Sequence, residues 1–70
     1  MDESHFIKIA ERIKEIRFKK GYSQEYMANE LGISQNIYSR NERDVKKMSL
    51  GRLCKIAAIL DTTAANLLTN

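Results

Sequence analysis

The chain has 70 residues, enough for one small domain, and its formal net charge is +3. No apolar run approaches the roughly 18–20 residues that a membrane-spanning helix needs, and the charged first residues are unlike a secretory signal. The single cysteine cannot form an intrachain disulfide, which favours a reducing cytoplasm. The chain has no proline and little strand signal, so the composition predicts one all-helical domain over residues 1–70.

Five helices are predicted from apolar residues at helical spacing and from residues that start and stop helices. The predicted ranges are about 6–20, 24–30, 35–41, 50–60 and 64–68. Each of the last four follows a hydroxyl side chain that can accept a hydrogen bond from the helix amides, namely Ser23, Ser34, Ser49 and Thr63. Gly21 can stop the first helix, and Gly32 can supply the positive φ that turns the chain between the second and the third.

Few residues of this sequence suit catalysis or metal binding. The only histidine, His5, stands near a chain end, where we expect fraying. Cys54 has no partner at zinc-ligand spacing and is predicted to be buried on the apolar face of the fourth helix. That face is expected to carry Leu50, Leu53, Ala57 and Leu60. There is no glycine-rich phosphate loop and no nucleophile–base pair, so we predict no enzyme activity, no metal and no cofactor.

Positive charge is concentrated in one part of the chain. Residues 21–33 contain two carboxylates and no lysine or arginine, whereas residues 34–56 contain six lysines and arginines against two carboxylates. A basic surface of this kind can neutralise the phosphates of a nucleic acid, although clusters of lysine and arginine are often only solvated surface. The position of these charges, on and after the third helix, favours the nucleic-acid interpretation.

The segment from Ser23 to Asn41, SQEYMANELGISQNIYSRN, resembles the helix-turn-helix of the lambda-type phage repressors and Cro proteins, the Xre-like family. IAERIKEIRFKKGYSQ resembles the family's first helix, and SLGRLCKIAAIL with the short helix after it resembles its closing pair. The resemblance implies a compact five-helix bundle of the lambda-repressor-like DNA-binding type, with helices 2 and 3 forming the helix-turn-helix. It also implies a sequence-specific regulator, a repressor, that places helix 3 in the major groove of double-stranded DNA.

The third helix carries side chains that can read bases. A helix in the major groove presents its N-terminal residues to the base edges. In this helix those residues, with two from the next turn, are Ser34, Gln35, Asn36, Ser39 and Arg40. Glutamine and asparagine amides can pair with adenine, and an arginine guanidinium fits guanine. The resemblance implies that Gln35, Asn36 and Arg40 hold the base-reading positions.

Ile37 lies beside these polar residues and allows two interpretations. It could contact the methyl group of a thymine in the major groove. Alternatively it packs against Leu31 and Ile33 as core, and we favour partial burial because isoleucine tends to be inside.

Contacts to phosphates fix the register of a protein on DNA rather than its sequence preference. The resemblance implies that Gln24, in the first turn of the second helix, reaches the DNA backbone. The other candidates follow within or after the third helix and are Arg43, Lys46, Lys47 and Ser49. Basic residues in such positions contribute affinity that falls as the salt concentration rises.

The resemblance implies a structural ion pair between Arg17 and Glu42, which would hold the third helix against the first. Two other residues depart from the family's pattern. Asn41 stands where an apolar core residue is usual, and we expect it to cap the helix or lie at the surface, because a buried amide without partners is costly. Asp44 stands where glycine is usual, and aspartate tolerates a left-handed turn better than most residues.

Apolar residues near the end of the chain predict a dimer surface on helices 4 and 5. They are Ile59, Ala64, Leu67 and Leu68. A homodimer would bind a palindromic operator. The alternative is a protein-interaction module or an antitoxin, whose helical scaffold docks a protein partner such as a toxin. The base-reading side chains discriminate between the two, because a pure docking module does not need them.

Overall fold

The structure, a computed structural model, describes residues 3–69. Within that range the backbone forms five α-helices, a single 3₁₀ turn and no strand, which confirms the predicted all-helical bundle. The helices are α1 (Glu3–Lys20), α2 (Gln24–Leu31), α3 (Gln35–Arg43), α4 (Leu50–Ile59) and α5 (Ala64–Leu68), and the 3₁₀ turn is Val45–Lys47. None of these helices is long and apolar enough to cross a membrane.

The last four helices start at the predicted caps. The hydroxyl oxygens of Ser23, Ser34, Ser49 and Thr63 each accept a hydrogen bond from the backbone N–H three residues later. Gly32 ends α2 with a φ of 71°, a left-handed conformation that a Cβ atom would strain. Its N–H donates to the Asn29 carbonyl oxygen (3.2 Å), and the Ile33 N–H donates to that of Ala28 (3.0 Å). These bonds satisfy the end of α2 before the chain turns into α3.

The core lies where all five helices meet. Its buried apolar residues are Ile9, Ile13, Met27, Ala28, Tyr38, Val45, Leu53, Ile56, Ala57, Leu60 and Leu67. Ala28, a small residue in the middle of α2, is 1% exposed. Every helix contributes to this one cluster. α3 packs against it with one side, so the other side of α3 lies at the surface.

The beginning of α1 differs from the prediction. The helix already includes Glu3, and His5 is half-buried rather than frayed, with Nε2 3.1 Å from the Leu68 carbonyl oxygen. About two helical turns further on, Arg12 Nη1 donates to the Leu67 carbonyl oxygen (2.9 Å). These side chains satisfy carbonyl groups at the end of α5, which fixes that short helix against α1.

α3 is longer than predicted, because it continues through Asn41 to Arg43. The expectation that Asn41 caps the helix or lies at the surface is therefore wrong. The residue is half-buried, and its Oδ1 accepts a hydrogen bond from Arg52 Nη1 (2.8 Å), which offsets the cost of burying the amide. Asp44 has a φ of −138° and does not form a left-handed turn. Its N–H instead closes the helix on the Arg40 carbonyl oxygen (2.9 Å).

α4 buries three of the four apolar residues predicted for its inner face, and Ile56 is buried instead of Leu50. The buried residues, including the one directly after the helix, are Leu53, Ile56, Ala57 and Leu60. The prediction that Leu50 and Cys54 are buried is wrong, because Leu50 is 66% exposed and Cys54 is exposed. Leu50 lies in the first turn, at the open edge of an apolar groove that Phe6 also lines. Cys54 follows the buried Leu53 directly, so it projects about 100° away from it around the helix.

The predicted dimer surface on α4 and α5 is wrong for one of its residues. Leu67 is 0% exposed, because it turns inward and completes the core beside α1. Ile59, Ala64 and Leu68 are half-buried and pack against the same core. Only the outer parts of these three side chains are open to a second chain.

Candidate nucleic-acid interface

The two sides of α3 differ in burial. Tyr38 and Glu42, one helical turn apart, are 0% and 1% exposed and face the core. Asn36, Arg40 and Arg43 are exposed, and helical geometry places them together on the opposite side. The inner side therefore fixes the helix, while the outer side is open to a ligand.

The structure brings most of the predicted base-reading residues to the surface of α3. Gln35, Asn36 and Arg40 are exposed, and their side chains form no hydrogen bond or ion pair with any other residue between 3 and 69. Ser34 is exposed too, but its oxygen accepts the bond that caps α3, and Ser39 is half-buried on the flank. Two amides and one guanidinium are thus presented together, and each can form two parallel hydrogen bonds with a base edge.

The inner side of α3 is fixed by the buried ion pair that the family resemblance implies. Arg17 Nε donates to Glu42 Oε2 (2.7 Å), and Arg17 Nη2 donates to Glu42 Oε1 (3.2 Å). The two side chains are 7% and 1% exposed. Arg17 Nη1 also donates to the Tyr22 carbonyl oxygen (3.0 Å). A two-point contact between two buried side chains sets the position of α3 relative to α1.

Gln24 joins this ion pair from α2. Its Nε2 donates to Glu42 Oε1 (3.1 Å), so Glu42 receives hydrogen bonds from α1 and α2 together. The second amide hydrogen of Gln24 has no acceptor among residues 3–69 and can donate to a phosphate. Sequence reasoning missed the bond between Gln24 and Glu42, because no periodic pattern relates residues on different helices.

The Tyr38 hydroxyl is a buried polar group without a hydrogen-bond partner among the described residues. Burial raises the pKa of Tyr38 above its usual value, and the neighbouring Glu42 carboxylate raises it further. The phenol therefore stays neutral and fills the core beside the ion pair. The sequence pattern places Tyr38 in the core, but it does not reveal that the hydroxyl lacks a partner there.

The basic residues around the end of α3 differ in how far other side chains hold them. Arg43 is exposed and has no carboxylate partner within residues 3–69. Lys46 Nζ lies 2.6 Å from Glu3 Oε1, and this hydrogen bond raises the pKa of Lys46. Lys47 Nζ lies 3.6 Å from Asp44 Oδ2 in an exposed pair, which holds the side chain only weakly. Arg43 and Lys47 are thus freer than Lys46 to meet an external anion.

Ile37 is 41% exposed, so it is partly covered, as we favoured, but it lies outside the buried core. Leu31 and Ile33 pack against the core and remain half-buried. An exposed isoleucine in the first turn of α3, next to Asn36, can meet the methyl group of a thymine.

In the part of the chain that the structure describes, no three His, Cys, Asp or Glu side chains come together as a metal site. Cys54 is an exposed free thiol on α4, and His5 faces the end of α5. The surface of α3 therefore offers hydrogen-bond donors, acceptors and positive charge as its means of recognition.

Comparison with known proteins places this surface in context. The chain matches the helix-turn-helix family over residues 13–67. It is 38% identical over 58 residues to the HTH-type transcriptional regulator AnsR of Bacillus subtilis, covering 83% of this chain and 50% of that protein. It is 36% identical over 61 residues to the HTH-type transcriptional regulator SinR of Bacillus subtilis, covering 86% and 55%. The chain thus spans about half the length of the curated relatives it matches.

Two solved structures are similar to the whole bundle. The N-terminal DNA-binding domain of SinR from Bacillus subtilis superposes with a TM-score of 0.78 and 34% identity, covering 91% of this chain and 94% of that one. SinR, described as the master regulator for biofilm formation, in complex with DNA gives a TM-score of 0.74 and 35% identity, covering 87% and 98%.

Proposed function

We propose that this chain is a sequence-specific regulator of transcription that binds double-stranded DNA. The proposal proceeds from the family to which the chain belongs, the lambda-repressor-like helix-turn-helix family. The observation that carries the proposal is the outer side of α3, where base-reading groups are exposed and have no partner among the described residues. In its relative SinR, a domain of this fold is described as DNA-binding. The proposed activity consists of binding alone and involves no chemical step.

In the proposed complex, α3 lies in the major groove with its first turn against the base edges. Gln35 and Asn36 pair with adenines, and Arg40 donates to O6 and N7 of a guanine. Ser34 and Ser39 add single hydrogen bonds at the flanks. The ion pair on the inner side of α3 supports this reading, because it holds the helix in one orientation while the outer side chains meet the bases.

Phosphate contacts fix this orientation on the duplex. Gln24 donates its second amide hydrogen at the start of α2, and Arg43 and Lys47 supply positive charge after the reading helix. Lys46 contributes once it exchanges its contact with Glu3 for a phosphate. The last candidate is Ser49, whose hydroxyl group stands at the start of α4.

We further propose that two copies bind a palindromic operator, with half-sites roughly 34–36 Å apart or a multiple of that spacing. The contact between the copies uses the outer parts of Ile59, Ala64 and Leu68 on α4 and α5. Occupation of such a site near a promoter would repress transcription, and the protein would act at the nucleoid in the cytoplasm.

The experiment that tests the proposal is selection of bound duplexes from a random DNA pool. The enriched duplex is then titrated at several salt concentrations beside a scrambled duplex of the same composition. We expect an enriched palindrome and a linear fall of log affinity with log salt, with a slope of about −0.9 for each phosphate contacted. Enrichment of no sequence, with weak binding of both duplexes alike, would refute sequence-specific recognition and favour a docking scaffold for a protein partner.

A further inference from the structure

Arg52 lies in the first turn of α4, and a hydrogen bond from α3 holds its side chain in place. Its Nη1 donates to Asn41 Oδ1 (2.8 Å), and both side chains are half-buried. The bond therefore connects the second half of α3 to the beginning of α4. No other hydrogen bond orients the guanidinium within residues 3–69.

The charge of Arg52 is not neutralised by this contact. The cations that form ion pairs among the described residues are Arg17, Lys19, Lys20, Lys46 and Lys47. An aspartate at position 41 would orient the guanidinium equally well but would cancel its charge. The neutral amide of Asn41 orients it and leaves the full positive charge, together with the remaining N–H donors of the guanidinium, available to an anion.

Arg12 shows what a purely structural arginine looks like in this fold. Its Nη1 donates to the carbonyl oxygens of Asn66 (3.3 Å) and Leu67 (2.9 Å), and also to that of Thr69. Those contacts close the end of α5, which explains the position of that guanidinium completely. Arg52 has one neutral partner and closes no helix end, because α4 is already capped by a serine hydroxyl.

We infer that Arg52 binds a phosphate of the DNA whose bases α3 reads, and that Asn41 is a positioning residue that holds the guanidinium ready for it. The inference rests on the proposed DNA binding. A phosphate fits better than a base, because Arg52 belongs to α4 and not to the outer side of α3, which carries the candidate base-reading groups. The hydrogen bond between Arg52 and Asn41 also links base reading to phosphate binding, because a movement of α3 would move the Arg52 guanidinium as well.

The test compares Arg52→Gln, Asn41→Ala and the double variant with Lys8→Gln. Lys8 is exposed on α1 beside Glu11 and Glu15, so its substitution makes the same charge change away from α3 and α4. Affinity is measured for the selected duplex and for a scrambled duplex over a range of salt concentrations. Thermal denaturation, monitored by circular dichroism, shows whether each variant is folded.

Arg52→Gln is expected to weaken binding of both duplexes about tenfold, the effect of one charge-assisted hydrogen bond, and to reduce the salt slope by about one. Asn41→Ala is expected to weaken binding about threefold, because a free arginine loses rotamer freedom when DNA binds. Since Asn41 acts through Arg52, the double variant should bind no more weakly than Arg52→Gln alone. Lys8→Gln should leave affinity within about twofold of the unmodified protein, because a distant exposed charge is screened.

Unchanged affinity and salt slope in Arg52→Gln, with the unmodified protein still binding its duplex steeply, would overturn the inference and leave the proposed function intact. Strictly additive effects of the two substitutions would overturn the positioning role of Asn41. Failure of the unmodified protein to bind any duplex would instead refute the proposed function itself.

Discussion

Arg40 and Glu42 are two residues apart on α3, yet their surroundings differ. The Arg40 side chain is exposed and has no hydrogen-bond or ion-pair partner between residues 3 and 69. Glu42 is 1% exposed and accepts hydrogen bonds from Arg17 and Gln24. The difference follows from the helical repeat of about 100° per residue, which places two residues that are two apart about 200° from each other around the helix axis. On the inner side every charge must find a partner, because burial of an isolated charge is costly. On the outer side water satisfies the same kinds of groups, so they remain free to exchange water for DNA.

The comparison gives the two sides of α3 different roles. Changes on the inner side should alter stability first and binding only through it. Changes on the outer side should alter binding and leave stability unchanged. The substitutions at Glu42, Arg40 and Tyr38 test that separation, and the last one, at Lys47, tests the basic segment that follows α3.

The largest effect is expected for Glu42→Ala, which leaves Arg17 buried without a carboxylate. The free energy of unfolding should fall by about 3–5 kcal/mol, as much as a core of this size typically provides, so the variant should be largely unfolded at room temperature. Thermal denaturation followed by circular dichroism measures this. Glu30→Ala, an exposed carboxylate on α2, is the matched control and should change stability by less than about 0.5 kcal/mol. Equal melting temperatures for the two variants would contradict the structural role of the ion pair.

The next largest effect is expected for Arg40→Ala on the outer side. Binding to the selected operator should weaken by about 1–3 kcal/mol, because a guanine loses its two-point contact. The melting temperature should not change, since the exposed Arg40 side chain forms no hydrogen bond or ion pair with any described residue. Fluorescence anisotropy with a labelled duplex measures the affinity, and Lys8→Ala serves as the charge-matched control. Full affinity in Arg40→Ala would remove this residue from the reading surface.

A smaller effect is expected for Tyr38→Phe, which removes a buried hydroxyl without a hydrogen-bond partner. At neutral pH the free energy of unfolding should rise by about 1 kcal/mol, because a group that is costly to bury is gone. Urea denaturation measures it.

The pH dependence of Tyr38 has a definite sign. Because its pKa is raised in the folded protein, the unfolded tyrosine loses its proton first, at about pH 10. The stability of the unmodified protein should therefore be complete below that pH and fall as the pH rises above it. In Tyr38→Phe the free energy of unfolding should fall less steeply between about pH 9 and pH 11. In Tyr26→Phe, which alters a tyrosine that is 39% exposed, most of the fall seen in the unmodified protein should remain. Identical pH profiles for the two variants would contradict this account.

The smallest effect is expected for Lys47→Ala. Affinity for every duplex should fall alike, and the salt slope should decrease by about one, because one phosphate contact is lost. Lys19→Ala is a matched control, since Lys19 Nζ is 3.5 Å from Glu15 and Lys47 Nζ is 3.6 Å from Asp44, both in exposed pairs. A salt slope that stays the same in Lys47→Ala would remove Lys47 from the phosphate contacts.

The helices and their caps could be predicted from the sequence because they depend on local patterns. Ser23, Ser34, Ser49 and Thr63 each bond to an amide three residues away, and Gly32 turns the chain where its freedom is needed. The end of α3 was harder, because Asp44 closes the helix with a φ of −138° and a ψ of 70°, a conformation that its residue type does not indicate.

Contacts between helices could not be predicted from the residues alone. Burial of the Asn41 amide would be costly without a partner, and only the fold shows that Arg52 donates a hydrogen bond to it. Helical spacing suits Leu50 and Leu53 equally, and only the packing of α4 decides that one is exposed and the other buried. The outer side of α3 was easier to foresee, because its polar residues needed no tertiary partner to explain them.

The central claim is that the outer side of α3 reads bases, and the most direct test compares the sequences selected by the unmodified protein and by Arg40→Gln. We expect the same operator for both, except at one base pair in each half-site, where the preference for guanine is replaced by adenine or lost. Identical preferences at every position, with only the overall affinity changed, would contradict the claim and reduce Arg40 to a phosphate contact.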